Sequence, residues 1–261
     1  MEIIGYVIVV VISIVVSPFI KGLVNKFVEE DQLVEAELAK NKGKELKDKK
    51  KTKVKFVPEF DWKVTLVTVL AEIILFIYFK TIVPAEAPFM LFSHIGMMFQ
   101  YVVYAFLTLL LIICMFADIK GCIIPNEVNF VGFIVGIILT FINMNLKISN
   151  GINALGGMII GLLVFLGIAG LSLLVFKKEG MGGGDIKLMG VIGLYVGLLN
   201  NIQVFILSFF VAAIISIFLL VTKIKKGDDY IPFGPFIVIA AYITMLFPTS
   251  VTMPALFQLL G

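Results

Sequence analysis

From Leu188 to Thr222 the chain carries no charged side chain, and this run removes most folds from consideration. A helix needs about 20 apolar residues to cross the hydrocarbon core of a bilayer. The run is therefore too long for one crossing and too apolar for a soluble surface. Comparable runs cover Ile3 to Ile20, Ile95 to Ala117, Val128 to Leu146 and Ile152 to Phe176, and another, broken only by Glu72, covers Val64 to Phe79. Hydrophobic residues make up 60% of the chain and charged residues 15%, whereas a soluble domain is nearer half apolar. Lipid cannot satisfy an open sheet edge, so the spans are helices. The expected fold is all-α, a polytopic membrane protein of about eight transmembrane helices with a large cytoplasmic first loop.

The net charge of +3 says less than the kind of charge, because all 21 basic residues are lysine. Arginine is the favoured reader of phosphates and base edges, so no nucleic-acid partner is expected. The lysines serve better as topology markers, and those of the first loop as a solvated surface facing anionic lipid. Cys114 and Cys122 form no C-x-x-C pair and imply neither a zinc site nor a disulfide. Residues 3 to 20 lack a basic flank and a small-residue cleavage site, which marks a retained helix rather than a signal peptide.

In order, residues 1–20 read as helix one and residues 21–63 as a charged loop holding twelve lysines and nine acids. A low-complexity core at Lys40 to Lys55 buries too little to fold alone, and Phe27 to Ala39 suits a short amphipathic helix. Residues 64–94 give helix two and an outside loop, with Trp62, Lys63, Tyr78 and Lys80 as interfacial anchors. Residues 95–248 hold helices three to eight, and 249–261 form an apolar tail. Helix three ends at Asp118. Helix five has Gly157, Gly161, Gly167 and Gly170 for close packing. A break at Asn200-Asn201 divides the long uncharged run into a short helix six, Leu188 to Leu199, and helix seven, Ile202 to Thr222.

With eight crossings the loops separate by lysine content. Loops one, three, five and seven hold nineteen lysines, and the other side holds only Lys80 and Lys147. The odd-numbered loops are therefore expected in the cytoplasm and both termini outside. One consequence bears on chemistry: Asp118 and Asp185 emerge on the same face. Two carboxyls sharing a site cannot both ionise easily, so one keeps a proton and the pair titrates as a unit. Such a pair suits hydrolysis. One carboxylate deprotonates a water while the protonated partner polarises the scissile carbonyl and helps the amine leave.

Asp185 stands in Gly180-Met181-Gly182-Gly183-Gly184-Asp185-Ile186-Lys187, where glycines let a second chain approach the backbone. Gly182 and Gly184, with Lys187, are candidates for shaping that active-site segment, and Gly183 is the variable position. Three blocks then carry a resemblance: Ala117-Asp118 followed after six residues by Pro125-Asn126; Met181 to Leu188; and Ile231-Pro232-Phe233-Gly234-Pro235-Phe236. In order and spacing, from about residue 95 to 245, the chain resembles the bacterial type IV prepilin peptidases, membrane aspartic proteases of the G-x-G-D class. The resemblance implies that Asp118 and Asp185 are the catalytic pair and that cleavage needs no metal or other cofactor. It also implies an inner-membrane location. The implied substrates are prepilin-like or pseudopilin-like proteins, cut at the cytoplasmic face after a glycine between a short basic leader and an apolar helix. Many members carry two C-x-x-C pairs in the first loop and methylate the new N-terminus with S-adenosylmethionine; here residues 21–63 contain no cysteine. S-adenosylmethionine is implied only if methylation is retained. The oligomeric state is not legible.

Glu72, at the middle of helix two, is expected to be neutral or partnered, since an ionised acid at mid-bilayer costs about 2.5 kcal/mol or more. With Pro125, Asn126, Pro232, Gly234 and Pro235 it is a candidate for lining a substrate groove. His94 reads as solvated surface, Cys114 as a packed small side chain and Cys122 as a loop thiol. Two alternatives stay open. A presenilin-like intramembrane protease shares G-x-G-D, but its partner aspartate usually follows a tyrosine, whereas here Ala117 precedes Asp118. A proton-coupled transporter would align Asp118, Asp185 and Glu72 along a path across the bilayer.

Overall fold

The computed structural model describes residues 2–40, 54–81, 97–177, 181–224 and 231–249. His94, most of the lysine-rich core of the first loop and the end of the apolar tail lie outside these. Every element among the described residues is a helix: α1 Glu2–Lys40, α2 Trp62–Thr81, α3 Met97–Gly121, α4 Asn126–Leu146, α5 Ile148–Phe176, α6 Gly183–Val196, α7 Leu198–Val221 and α8 Gly234–Leu246. Six are long and apolar enough to cross a membrane; α6 and α8 are shorter. The protein is a polytopic, membrane-embedded helical bundle.

α3 is the axis of the bundle. Of its apolar window 56% is buried, against 11% for α5 and for α7, so lipid meets those two and protein surrounds α3. α1, α2, α4, α6 and α8 all pack against α3. The core runs along α3 through Leu107, Leu111, Cys114 and Ala117 to Met189, Ile192 and Leu194 of α6 and Ile237, Ala240 and Ala241 of α8.

Several boundaries differ from expectation. Helix one does not stop at Lys21 but continues to Lys40, about 58 Å at 1.5 Å per residue. It absorbs the separate amphipathic helix expected from Phe27. Pro18 lies inside it without ending it. The Ser17 hydroxyl donates to the Ile14 carbonyl, which Pro18 cannot serve, at 3.1 Å. The returning segment 54–61 is laid along the same helix: Glu59 N–H donates to the Pro18 carbonyl at 3.1 Å, and Lys21 pairs with Asp61 at 2.9 Å. That lysine holds the Asp61 carboxyl below its usual range.

The break in the long uncharged run falls at Gly197, not at Asn200-Asn201. Gly197 has φ +82°, a left-handed angle that glycine takes without strain. Both asparagines lie instead in the first turn of α7. Asn201 donates from Nδ2 to the Gly157 carbonyl at 2.8 Å, and Asn200 Oδ1 accepts from Thr249 N–H at 2.9 Å. Polar side chains that read as a turn here fasten α7 to α5 and to the segment that follows α8. Of the four glycines singled out on helix five, Gly157 and Gly161 bring α5 against α6. A Cβ on Gly157 would overlap the Gly193 carbonyl oxygen, and one on Gly161 would meet the Met189 carbonyl oxygen at 2.7 Å. Gly167 and Gly170 have nothing within 4 Å and pack against nothing described.

Candidate active site

Three helix ends build the site. α3 supplies Asp118 from its last turn, inside the helix rather than beyond its end. α6 supplies Asp185 from its first turn, because the helix begins at Gly183, five residues before the expected start. α8 supplies its N-terminal amide: Gly234 N–H donates to Asp118 Oδ2 at 2.8 Å. The first amides of a helix have no partner within it and mark its positive end, so a carboxylate there is doubly favoured.

Asp118 is 4% and Asp185 6% exposed. Both line one cleft of about 510 Å³, with Cys122, Ile123, Ile124, Pro125, Asn126 and Glu127 along one edge and Gly182, Gly183, Gly184 and Lys187 along another. The C-terminal half of α1 closes a third side with Phe27, Glu30, Asp31 and Val34. Asp185 Oδ1 has no partner among the described residues. Its carboxyl is pushed up to about 7, first by burial and then by the neighbouring Asp118, with a hydrogen bond from the Gly182 backbone pulling the other way.

The glycines divide by what they touch. A Cβ on Gly184 would stand 2.8 Å from Ile124 Cβ, and one on Gly234 would stand 2.6 Å from Asp118 Oδ2. Gly182 precedes α6 as its N-cap and lies against Asp185, whereas Gly183 faces open space. Asn129 Nδ2 donates to the Gly184 carbonyl at 3.4 Å, and Lys187 Nζ to Asn126 Oδ1 at 2.7 Å, so α4 and α6 are tied at the mouth. Pro125 caps α4, which starts at Asn126.

Pro235 opens α8 beside Gly234, and Pro232 stands just ahead of the N-cap Phe233. Phe233 sits in a chain of rings, 5.2 Å from Phe209, 6.3 Å from Phe165 and 6.0 Å from Phe236 by centroid. This cluster seats the start of α8 against Asp118, a link that the sequence does not announce. Gly234 therefore belongs to the aspartate's hydrogen bonding and not to a groove. Glu72 is not in the cleft either. It is 4% exposed on α2, where the Tyr101 hydroxyl donates to its Oε2 at 3.4 Å.

A second hollow of about 580 Å³ lies between α4, α5 and α6. It is lined by Asn129, Phe130 and Phe133, by Met158 and Leu162, and by Gly190 and Val191. Asn126, Glu127 and Lys187 line both spaces.

Residues 105–217 match the model of the Type IV leader peptidase family. Among similar proteins is the prepilin leader peptidase/N-methyltransferase of Aeromonas salmonicida (strain A449), 30% identical over 146 residues, which are 56% of this chain and 49% of that protein. The Stutzerimonas stutzeri protein of the same name is 27% identical over 159 residues, 61% of this chain and 54% of its own. The Pseudomonas aeruginosa protein is 35% identical over 100 residues, 38% and 34%. The chain thus spans about half the length of the curated relatives it matches. No solved structure matches it. Both aspartates lie inside the stretch that is similar to the Type IV leader peptidase family, and both line one cleft.

Proposed function

We propose that the protein is a membrane aspartic endopeptidase that removes the leader of prepilin-like proteins, with Asp118 and Asp185 as its dyad. The observation that carries this is the meeting of two buried carboxyls, from helices whose nearest ends are residues 121 and 183, around one open cleft. Asp118, which accepts an amide hydrogen from the start of α8, takes the role of base. Asp185, raised to about 7, keeps the proton; it lines the cleft, and its buried Oδ1 has no partner among the described residues. A water between them would lose a proton to Asp118 as it attacks the scissile carbonyl. Asp185 would donate a hydrogen bond to that carbonyl oxygen, and the proton on Asp118 would pass to the leaving amine.

The lysine distribution supports an inner-membrane orientation with the cleft toward the cytoplasm and both termini outside. The proposed reaction needs no S-adenosylmethionine. The first loop has no cysteine to rebuild a zinc-held fold, and residues 41–53 of it lie outside the described residues. A proton relay gains no support, since Glu72 is buried against Tyr101 and lines no space shared with the aspartates.

Co-expression with a prepilin, followed by gel mobility and mass spectrometry of the product's N-terminus, tests the reading. Leader loss that disappears in Asp118→Asn and in Asp185→Asn, with membrane insertion unchanged, supports it. Full processing by either variant removes that residue from the dyad. An added methyl on the trimmed product would bring methylation into the function.

A further inference from the structure

We propose that the hollow between α4, α5 and α6 is the seat of the substrate's apolar segment, so that a substrate crosses the dyad in one fixed direction. The inference rests on the peptidase reading and adds where the substrate lies. α4 and α5 are joined at a single residue, Lys147, at the end remote from the aspartates. They straddle α6, whose Gly190 and Val191 form part of the hollow's lining. On the α4 side, Phe130 is 65% and Phe133 38% exposed, so the space opens sideways to lipid rather than to water.

A hollow reached from the bilayer selects an apolar helix over a soluble peptide. Its volume of about 580 Å³ lies within the range of formed ligand pockets, about 300–1,000 Å³. Its polar lining is Asn126, Glu127, Asn129 and Lys187, of which Asn126, Glu127 and Lys187 also belong to the cleft that holds the dyad. A helix laid there, with side chains at i, i+3 and i+4 turned inward, delivers the residue at its end to the aspartates. Gly190 lets the Leu162 side chain of α5 lie against α6 at the hollow's edge: a Cβ there would stand 2.8 Å from it. The polar stretch on the other side of the scissile bond then leaves past Glu30 and Asp31 of α1, which line the opposite side of the cleft.

The test compares two substrates on the full-length protein: a prepilin with its apolar helix, and a peptide with the leader and scissile bond that ends before that helix. Met158→Trp and Leu162→Trp fill the hollow. They are expected to raise KM for the prepilin at least tenfold and to leave cleavage of the short peptide unchanged. Leu163→Trp, on the lipid face of α5, is expected to change neither. Equal losses on both substrates, or an unchanged KM for the prepilin, would overturn the proposal. If the space holds a lipid tail instead, KM stays unchanged and a co-purifying phospholipid vanishes from the mass spectra of the filled variants, which also overturns it.

A second measurement does not depend on catalysis. In a Cys122→Ser background, Phe133→Cys is expected to form a disulfide with a cysteine in the first two turns of the apolar helix of a bound prepilin, and Leu163→Cys is not. Trapping without cleavage would sink the peptidase reading and keep the docking site; cleavage without trapping at Phe133 would do the reverse.

Discussion

The amide of Gly234 donates to Asp118 Oδ2 at 2.8 Å, across 116 residues of sequence. One helix thus presents a carboxyl at its C-terminal end, where the dipole disfavours it, and another corrects this with its positive end. A Cβ at position 234 would stand 2.6 Å from the same oxygen. Gly234→Ala is therefore expected to break the contact. A hydrogen bond to a charged group is worth about 1.5–3 kcal/mol, so kcat should fall roughly 10- to 100-fold. Leader-cleavage kinetics on purified variant check this, and an unchanged kcat would remove the amide from the mechanism.

The Asp185 carboxyl, pushed up to about 7, sets the expected pH dependence. Below that value it holds the proton that the acid role requires, and above it the proton is lost. Activity should decline as pH rises through about 7. A profile of kcat against pH shows the limb, and a rate that stays flat to pH 9 would contradict the role given to Asp185.

Cys122 is exposed and lines the cleft one turn beyond Asp118, whereas Cys114 is buried. A bulky thiol reagent should block cleavage of the native protein and have no effect on Cys122→Ser. Bound prepilin should slow the modification. Mass spectrometry of the labelled protein reads both results.

Glu72→Gln keeps an oxygen for the Tyr101 hydroxyl and removes only the acid. Since Glu72 lines neither space, cleavage is expected within twofold of the native rate. A loss comparable to that of the Asp→Asn variants would place Glu72 in the machinery.

Gly157→Ala and Gly167→Ala separate the packed half of α5 from its open half. The first inserts a Cβ into the Gly193 backbone, and overpacking costs about 1–3 kcal/mol. The second meets nothing within 4 Å and should stay within about 0.5 kcal/mol. Unfolding midpoints in one detergent, measured side by side, give the comparison.

The elements legible in the sequence were those written in charge and length. Counting crossings and lysines is enough to carry Asp118 and Asp185 to one face, because a helix of fixed rise leaves them no other choice. The ends of helices were less legible. Gly183 and Gly184 look like a connector, yet both are helical, since α6 needs them to bring Asp185 inward past Ile124. Asn200 and Asn201 look like a turn, yet their amides hold neighbouring helices. The bond from Gly234 to Asp118 depends on where the Phe165, Phe209 and Phe233 rings seat α8, and no local pattern carries that information.

Because α1 is unbroken from Glu2 to Lys40, the exposed apolar residues from Val7 to Phe19 and those that line the cleft at Glu30 and Asp31 belong to one lever. A change in bilayer thickness that tilts or slides the first crossing must carry these two acids with it. Membrane composition would then adjust the height of the entrance without touching either aspartate.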